Sequence, residues 1–151
     1  MRLLVALDGT DASDDALDYA LDIAVRLDAS LLVAYVVEPA VRVTEEASTR
    51  ETATLDGGDE TEFVQGALED ARAVGDRILH EAVHRAETLD IAADTSLRDG
   101  DPLEELVTLA ARPAIDGVIV GHRGVDDHAD MIESIAKRLI ARSPIPVTVV
   151  P

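Results

Sequence analysis

Short runs dominated by apolar residues constrain this chain more than any other feature: Arg2–Leu7 (RLLVAL), Ser30–Val37 (SLLVAYVV) and Ile115–Val120 (IDGVIV). Continuous runs of this length, rich in Leu and Val, fit strands buried on both faces. Such strands need helices above and below the sheet, and the intervening sequence supplies them. Ala16, Tyr19, Ala20, Ile23, Ala24 and Leu27 recur at helical spacing, opposite a wet face of Asp14, Asp18 and Asp22. Phe63, Ala67, Ala71, Val74, Ile78, Ala82, Ala86 and Leu89 mark a long second helix. Gly66 and Gly75 each weaken it by about 1 kcal/mol relative to Ala.

The punctuation between these segments is specific. Asp8-Gly9-Thr10-Asp11 ends the first strand, with Thr10 or Asp11 placed to cap the next helix. Gly100-Asp101-Pro102-Leu103-Glu104 is a helix start, with Asp as N-cap, Pro in the first turn and Glu three residues after the cap. Leu103, Leu106, Val107 and Ala110 form the buried face that follows. Ile91–Leu97 alternates imperfectly and suits a strand nearer the sheet edge. Ile135, Ala136, Leu139 and Ile140 make the last helix amphipathic, and Val147–Val150 is a final short strand. From Glu38 to Asp59, with Pro39 and Gly57-Gly58, there is no sustained period, and the stretch reads as a long, partly mobile loop.

Alternating strands and helices imply an α/β fold, a doubly wound five-stranded parallel sheet with right-handed crossovers. The expected strand order is 3-2-1-4-5. Ligands of such sheets sit beyond the carboxyl ends of the strands, where the winding reverses. Asp8 closes the first strand there, and Gly121 closes the fourth. Gly121-His122-Arg123-Gly124, running through an acidic loop onto a helix, is the usual architecture for holding an anion such as phosphate.

Composition narrows the setting. A chain of 151 residues, 47% of them hydrophobic, is expected to form one domain over residues 1–151 with a proper core. It has no cysteine, which excludes disulfides and thiolate metal sites. No apolar run is long enough for a membrane span or placed as a secretion signal, so the cytoplasm is the expected compartment. There are 31 Asp+Glu against 13 Lys+Arg, a net charge of −18, and Lys137 is the only lysine. Such a surface repels nucleic acid and anionic membrane. Charge spread over every helix, with so little lysine, fits a halophilic, salt-rich cytoplasm where screening relieves self-repulsion.

At this point the residues resemble a known family. LLVALDGTDASDDAL, LLVAYVVEP, GDPLEELVTLA, DGVIVGHRG and ESIAKRLIARSPIPVTVV, in this order and spacing, are similar to the universal stress protein family over essentially the whole chain. The resemblance implies an adenine nucleotide alpha hydrolase-like fold, usually a homodimer, with the last strand paired across the dimer. Here that strand is Pro146–Val150. One branch of the family binds ATP and another does not. The binding branch carries Gly, two residues, Gly, nine residues, Gly-Ser, whose amides and hydroxyl hold phosphates. Gly121 and Gly124 match its first half. Ser134 matches its Ser, but Glu133 stands at the Gly before it, and only the eight residues Val125–Ile132 intervene. The resemblance further implies that Asp8 lies beside the nucleotide, that the backbone of Val36 meets the adenine edge and that Val120 precedes the first Gly. Arg123 is the nearby positive charge.

Glu133 adds a side chain and a charge where a phosphate would approach, and Asp126, Asp127 and Asp130 add more. Mg²⁺ bridging carboxylates and phosphates, or high salt, would reverse that repulsion. ATP or AMP with Mg²⁺ is therefore one reading of the site. A homodimeric interaction protein whose site has decayed is another, and a slow phosphohydrolase using a cation held by Asp8 or the loop acids is a third.

Other signals carry less. His80-Glu81-Ala82-Val83-His84 is literally H-E-x-x-H, the zinc-protease pattern. Helical phase turns both histidines to water, and no third ligand follows in the expected context. No metal ligands are assigned, and a surface metal site is the better of the two metal readings. His122 and His128 fall in the glycine loop, where a loop histidine is ordinarily solvated. Ser13, Ser30, Ser134 and Ser143 lack a G-x-S-x-G setting, which disfavours a nucleophilic hydrolase and leaves no catalytic residue assigned.

Overall fold

The computed structural model describes residues 1–39, 59–122 and 134–151. In chain order these form β1 (Arg2–Leu7), α1 (Asp11–Leu27), β2 (Ser30–Val37), α2 (Asp59–Thr88), β3 (Ala93–Asp99), α3 (Pro102–Ala110), β4 (Gly117–Gly121), α4 (Ile135–Arg142) and β5 (Val147–Val150). The five strands make one parallel sheet in the order β3-β2-β1-β4-β5. Residues 40–58, within the stretch read as a mobile loop, lie outside the described residues, as does the side chain of Phe63.

Alternation along each strand divides the core into two layers. Leu3, Val5, Leu7, Leu31, Val33 and Ile119 face one side, where α1 and α2 cover them. Leu4, Leu32, Ala34, Val118 and Val120 face the other, under α3 and α4. Leu4, Leu31, Leu103, Leu109 and Leu139 are among the largest fully buried side chains. Burying one such Leu contributes roughly 1.5–3 kcal/mol. Because both faces are covered, the inner strands need apolar residues on both faces, which is the pattern β1 and β2 display after their polar first residues, Arg2 and Ser30.

Several helix faces differ from their sequence reading. In α1 the buried set is Ser13, Ala16, Leu17, Ala20, Leu21 and Ala24, whereas Tyr19 and Leu27 are exposed. In α2, Val74 is exposed and Leu79 is core, while Leu89 stands exposed just past the helix end. In α4, Ala136 and Leu139 are buried, and Ile135 and Ile140 face water. The α3 start is as read: Asp101 caps through Glu104 N at 3.0 Å, with Pro at the first turn. Glu104 does not reach back to close a capping box. It takes two hydrogen bonds from Arg142 instead, at 2.5 and 3.2 Å, tying α3 to α4. That guanidinium holds the Glu104 carboxyl below its usual range.

The two glycines of α2 have opposite roles. A Cβ on Gly75 would sit 2.6 Å from Tyr35 Cδ1 and 2.8 Å from Leu97 Cδ1. Gly75 thus lets α2 settle onto β2 and β3, and the helix penalty is repaid in packing. Gly66 has nothing within 4 Å of the same position. Gly66→Ala is expected to stabilise by about 0.5–1 kcal/mol, through helix propensity alone. Gly75→Ala is expected to destabilise, because overpacking of about 1–3 kcal/mol outweighs the same propensity gain. Urea melts of the two variants check this, and equal shifts would contradict the contact.

Candidate functional site

The crevice of this fold lies where the chain's winding reverses, between the carboxyl ends of β1 and β4. At the end of β1, Asp8 Oδ1 accepts hydrogen bonds from Thr10 N at 3.0 Å and from Thr10 Oγ1 at 2.5 Å. Thr10 Oγ1 in turn accepts from Ser13 N at 3.3 Å, making Thr10 the N-cap of α1. Ser13, only 5% exposed, donates from Oγ to Thr10 O at 3.0 Å and accepts from Asp8 N at 3.3 Å. Gly9 supplies the positive φ, +81°, that the turn requires. The carboxylate of Asp8 is therefore an exposed group oriented by its own turn.

Ser13 was not singled out for this work by sequence. The signal is the Thr10-x-x-Ser13 spacing, which places a hydroxyl at the third residue after the cap, where a capping box ordinarily has Glu or Gln. Here it reaches back to Asp8 N rather than to Thr10 N.

β4 ends beside that turn. A Cβ on Gly121 would stand 2.1 Å from Ala12 O and 2.4 Å from Ala12 C, inside the main chain of α1. Only glycine lets the end of β4 pass the first turn of α1 so closely. Val120 is buried in the α3–α4 layer, so only its backbone can meet a ligand. His122 N donates to Val150 O at 2.8 Å, carrying the β4–β5 pairing one residue further. Val36 is half-buried against the same layer and pairs with Arg98, while the β1–β2 register ends at Leu7↔Tyr35. The carboxyl end of β2 thus runs past the last β1 pairing.

Ser134 is the N-cap of α4, accepting from Lys137 N at 3.3 Å. Capping uses an acceptor lone pair and leaves the hydroxyl proton available to an anion at the helix start. Arg123 and Gly124 lie outside the described residues, as do Glu133, His128 and the loop acids Asp126, Asp127 and Asp130. The described residues therefore bring Asp8, Val36, Val120 and Gly121 to the carboxyl ends of adjacent strands, with Ser134 at the start of the helix that follows β4.

At the β3 side, Arg72 of α2 binds Asp99 through two hydrogen bonds, at 3.0 and 2.7 Å. This bidentate contact holds the Asp99 carboxyl below its usual range. Arg98 binds Glu105 at 2.9 Å. Two surface hollows, of about 390 and 240 Å³, lie along α1–α2 and before β2 and β3, away from the crevice. Among the described residues no group of three or more His, Cys, Asp or Glu side chains is arranged to hold a metal ion, and no helix is long and apolar enough to cross a membrane.

The strand order and the helices on both faces define an α/β protein of the class with an adenine nucleotide alpha hydrolase-like fold. Within that class the chain belongs to the universal stress protein family, whose model matches residues 1–151. It is 28% identical to the universal stress protein YxiE of Bacillus subtilis, over 99% of this chain and 97% of that one. A universal stress protein family structure from Burkholderia pseudomallei is 26% identical, with a TM-score of 0.73 over 99% of this chain and 95% of its own. A universal stress protein solved in complex with cAMP superposes with a TM-score of 0.70 at 23% identity, over 100% of this chain and 97% of that one. At that identity the likeness is one of fold.

Proposed function

We propose that this chain is a stress-response module that senses an adenine nucleotide, ATP or AMP with Mg²⁺, in the crevice between β1 and β4. The observation that carries the reading is the convergence of Asp8, Val36 and Gly121 on the carboxyl ends of three adjacent strands. The cAMP held by one structural neighbour supports the ligand class. In this reading Gly121, Gly124 and Ser134 face the phosphates through amides and a hydroxyl, and Arg123 adds positive charge. Asp8 and the Val36 backbone take the nucleoside end, and the Val120 backbone leads into the first glycine. The chain acts as one cytoplasmic domain over residues 1–151, homodimeric through the Pro146–Val150 edge, which would otherwise present an apolar strand to solvent.

Calorimetric titration of ATP and AMP in molar KCl, with and without Mg²⁺, tests the reading. Submillimolar binding strengthened by Mg²⁺ is the expected result. Ser134→Ala should weaken it about tenfold, the equivalent of roughly 1.4 kcal/mol. The same change removes a cap worth about 1 kcal/mol, so its melt is recorded beside the isotherm. No heat at millimolar nucleotide would remove the nucleotide from the proposal.

A further inference from the structure

The H-E-x-x-H run of α2 takes no part in the crevice. His80 and His84 are both exposed. Residues four apart on a helix share one face, with Cβ atoms about 5–6 Å apart. That spacing lets two imidazoles converge on one ion with Zn–N bonds of about 2.0–2.1 Å. The helix carrying them is held to the sheet along this stretch. Leu79, Ala82 and Ala86 are buried beneath it, and Arg85 pairs with Asp18 of α1. The two donors are therefore presented on backbone that is already ordered, and chelation demands no folding.

The charged side chains three or four residues from the pair are Asp76, Arg77, Glu81 and Glu87. Three carboxylates against one guanidinium leave the local field favourable to a cation. They do not assemble a site of three or more protein donors among the described residues. The donor set is accordingly two imidazoles. Carboxylate surfaces hold Mg²⁺ and Ca²⁺ diffusely, whereas imidazole selects zinc, copper(II) and nickel. We propose that His80 and His84 form a two-point surface chelate for a borderline divalent transition ion such as Zn²⁺, with water filling the remaining positions. The two hollows described above are lined by neither histidine, so the pair stands apart from both.

Titration of ZnCl₂ into the whole protein tests this in molar KCl, which screens the diffuse attraction of the −18 surface. His80→Ala and His84→Ala should each weaken zinc by at least about tenfold, because each turns a chelate into a single contact. The double substitution should abolish the site, and the melting curve in the absence of zinc should stay in place. The decisive pair moves the second imidazole. Asp76→His in the His84→Ala background restores spacing of four residues, to His80, and should recover binding. Glu81→His in the same background places neighbours on diverging faces and should not. Zinc affinity indifferent to both histidines, no heat at about 1 mM zinc, or equal recovery in the two rebuilt pairs would each overturn the chelate.

Discussion

Gly121→Ala is expected to be among the most destabilising single substitutions in this protein. The added Cβ falls 2.1 Å from a main-chain oxygen and 2.4 Å from a main-chain carbon of Ala12. No rotamer relieves that contact, because the obstacle is backbone on both sides. Relief requires the start of α1 to move, and that start is fixed by Thr10, Ser13 and Asp8 holding one another. Displacing it forfeits the cap, about 1 kcal/mol, in addition to overpacking of about 1–3 kcal/mol or more. A total of about 3 kcal/mol or more is expected from denaturant unfolding in molar KCl. Ala12→Gly should not rescue it, since the clash is with the carbonyl rather than the methyl group. A loss below about 1 kcal/mol would show that α1 yields easily and that the contact is not a constraint.

The same geometry changes how the glycine loop is to be read. As part of a phosphate cradle, Gly121 would serve because glycine lets backbone approach an oxyanion. Its described neighbour is Ala12 of α1, so its first requirement is packing. Loss of nucleotide binding in a Gly121 variant would therefore carry no information about phosphate contact. Ser134 is the cleaner probe, since its known cost is one cap.

What the sequence made legible follows from what each residue has to satisfy. β1 and β2 are read to the residue because strands covered on both faces must be apolar on both, and each run starts at a polar residue, Arg2 or Ser30. The α3 start is read because Asp101 and Pro102 do locally what a helix N-terminus needs. The α1 face is half-read: Ala16, Ala20 and Ala24 are apolar with Tyr19 on one flank and Leu17 and Leu21 on the other. Periodicity alone does not say which flank meets the sheet, and Leu27 is the last residue of the helix. Gly75 and Gly121 read as a propensity cost and a ligand feature, because close approach involves a partner distant in sequence. Asp8, Val36, Val120, Gly121 and Ser134 are candidates that the family resemblance names, and the fold places the first four at strand ends and Ser134 at a helix start, whereas the Ser13 lock depends on a turn geometry visible only in three dimensions.

Salt should change the stability of this protein more than any single surface substitution. Even if every one of the 13 basic residues were paired, 18 of the 31 acids would remain unmatched. The described ion pairs already occupy Arg2, Arg26, Arg72, Arg85, Arg98 and Arg142. On α1 alone Asp11, Asp14, Asp15, Asp18 and Asp22 crowd one helix, where like charges four apart cost about 0.2–0.5 kcal/mol per pair. Raising KCl from 0.1 to 1 M shortens the screening length from about 10 to about 3 Å and removes most repulsion between separated surface acids. If this relieves about 3–4 kcal/mol, the melting temperature should rise by about 10 °C, at roughly 2–4 °C per kcal/mol for a chain of this size. Asp28 and Asp90 provide a test by charge alone. Both have positive φ, 52° and 57°, a conformation Asn tolerates as well as Asp, and both line the same surface hollow. Asp28→Asn with Asp90→Asn should raise the low-salt melting temperature and narrow the gap to molar KCl. A melting curve indifferent to KCl would mean that the acids are already neutralised within the fold, and the salt-adapted reading of the composition would fall with it.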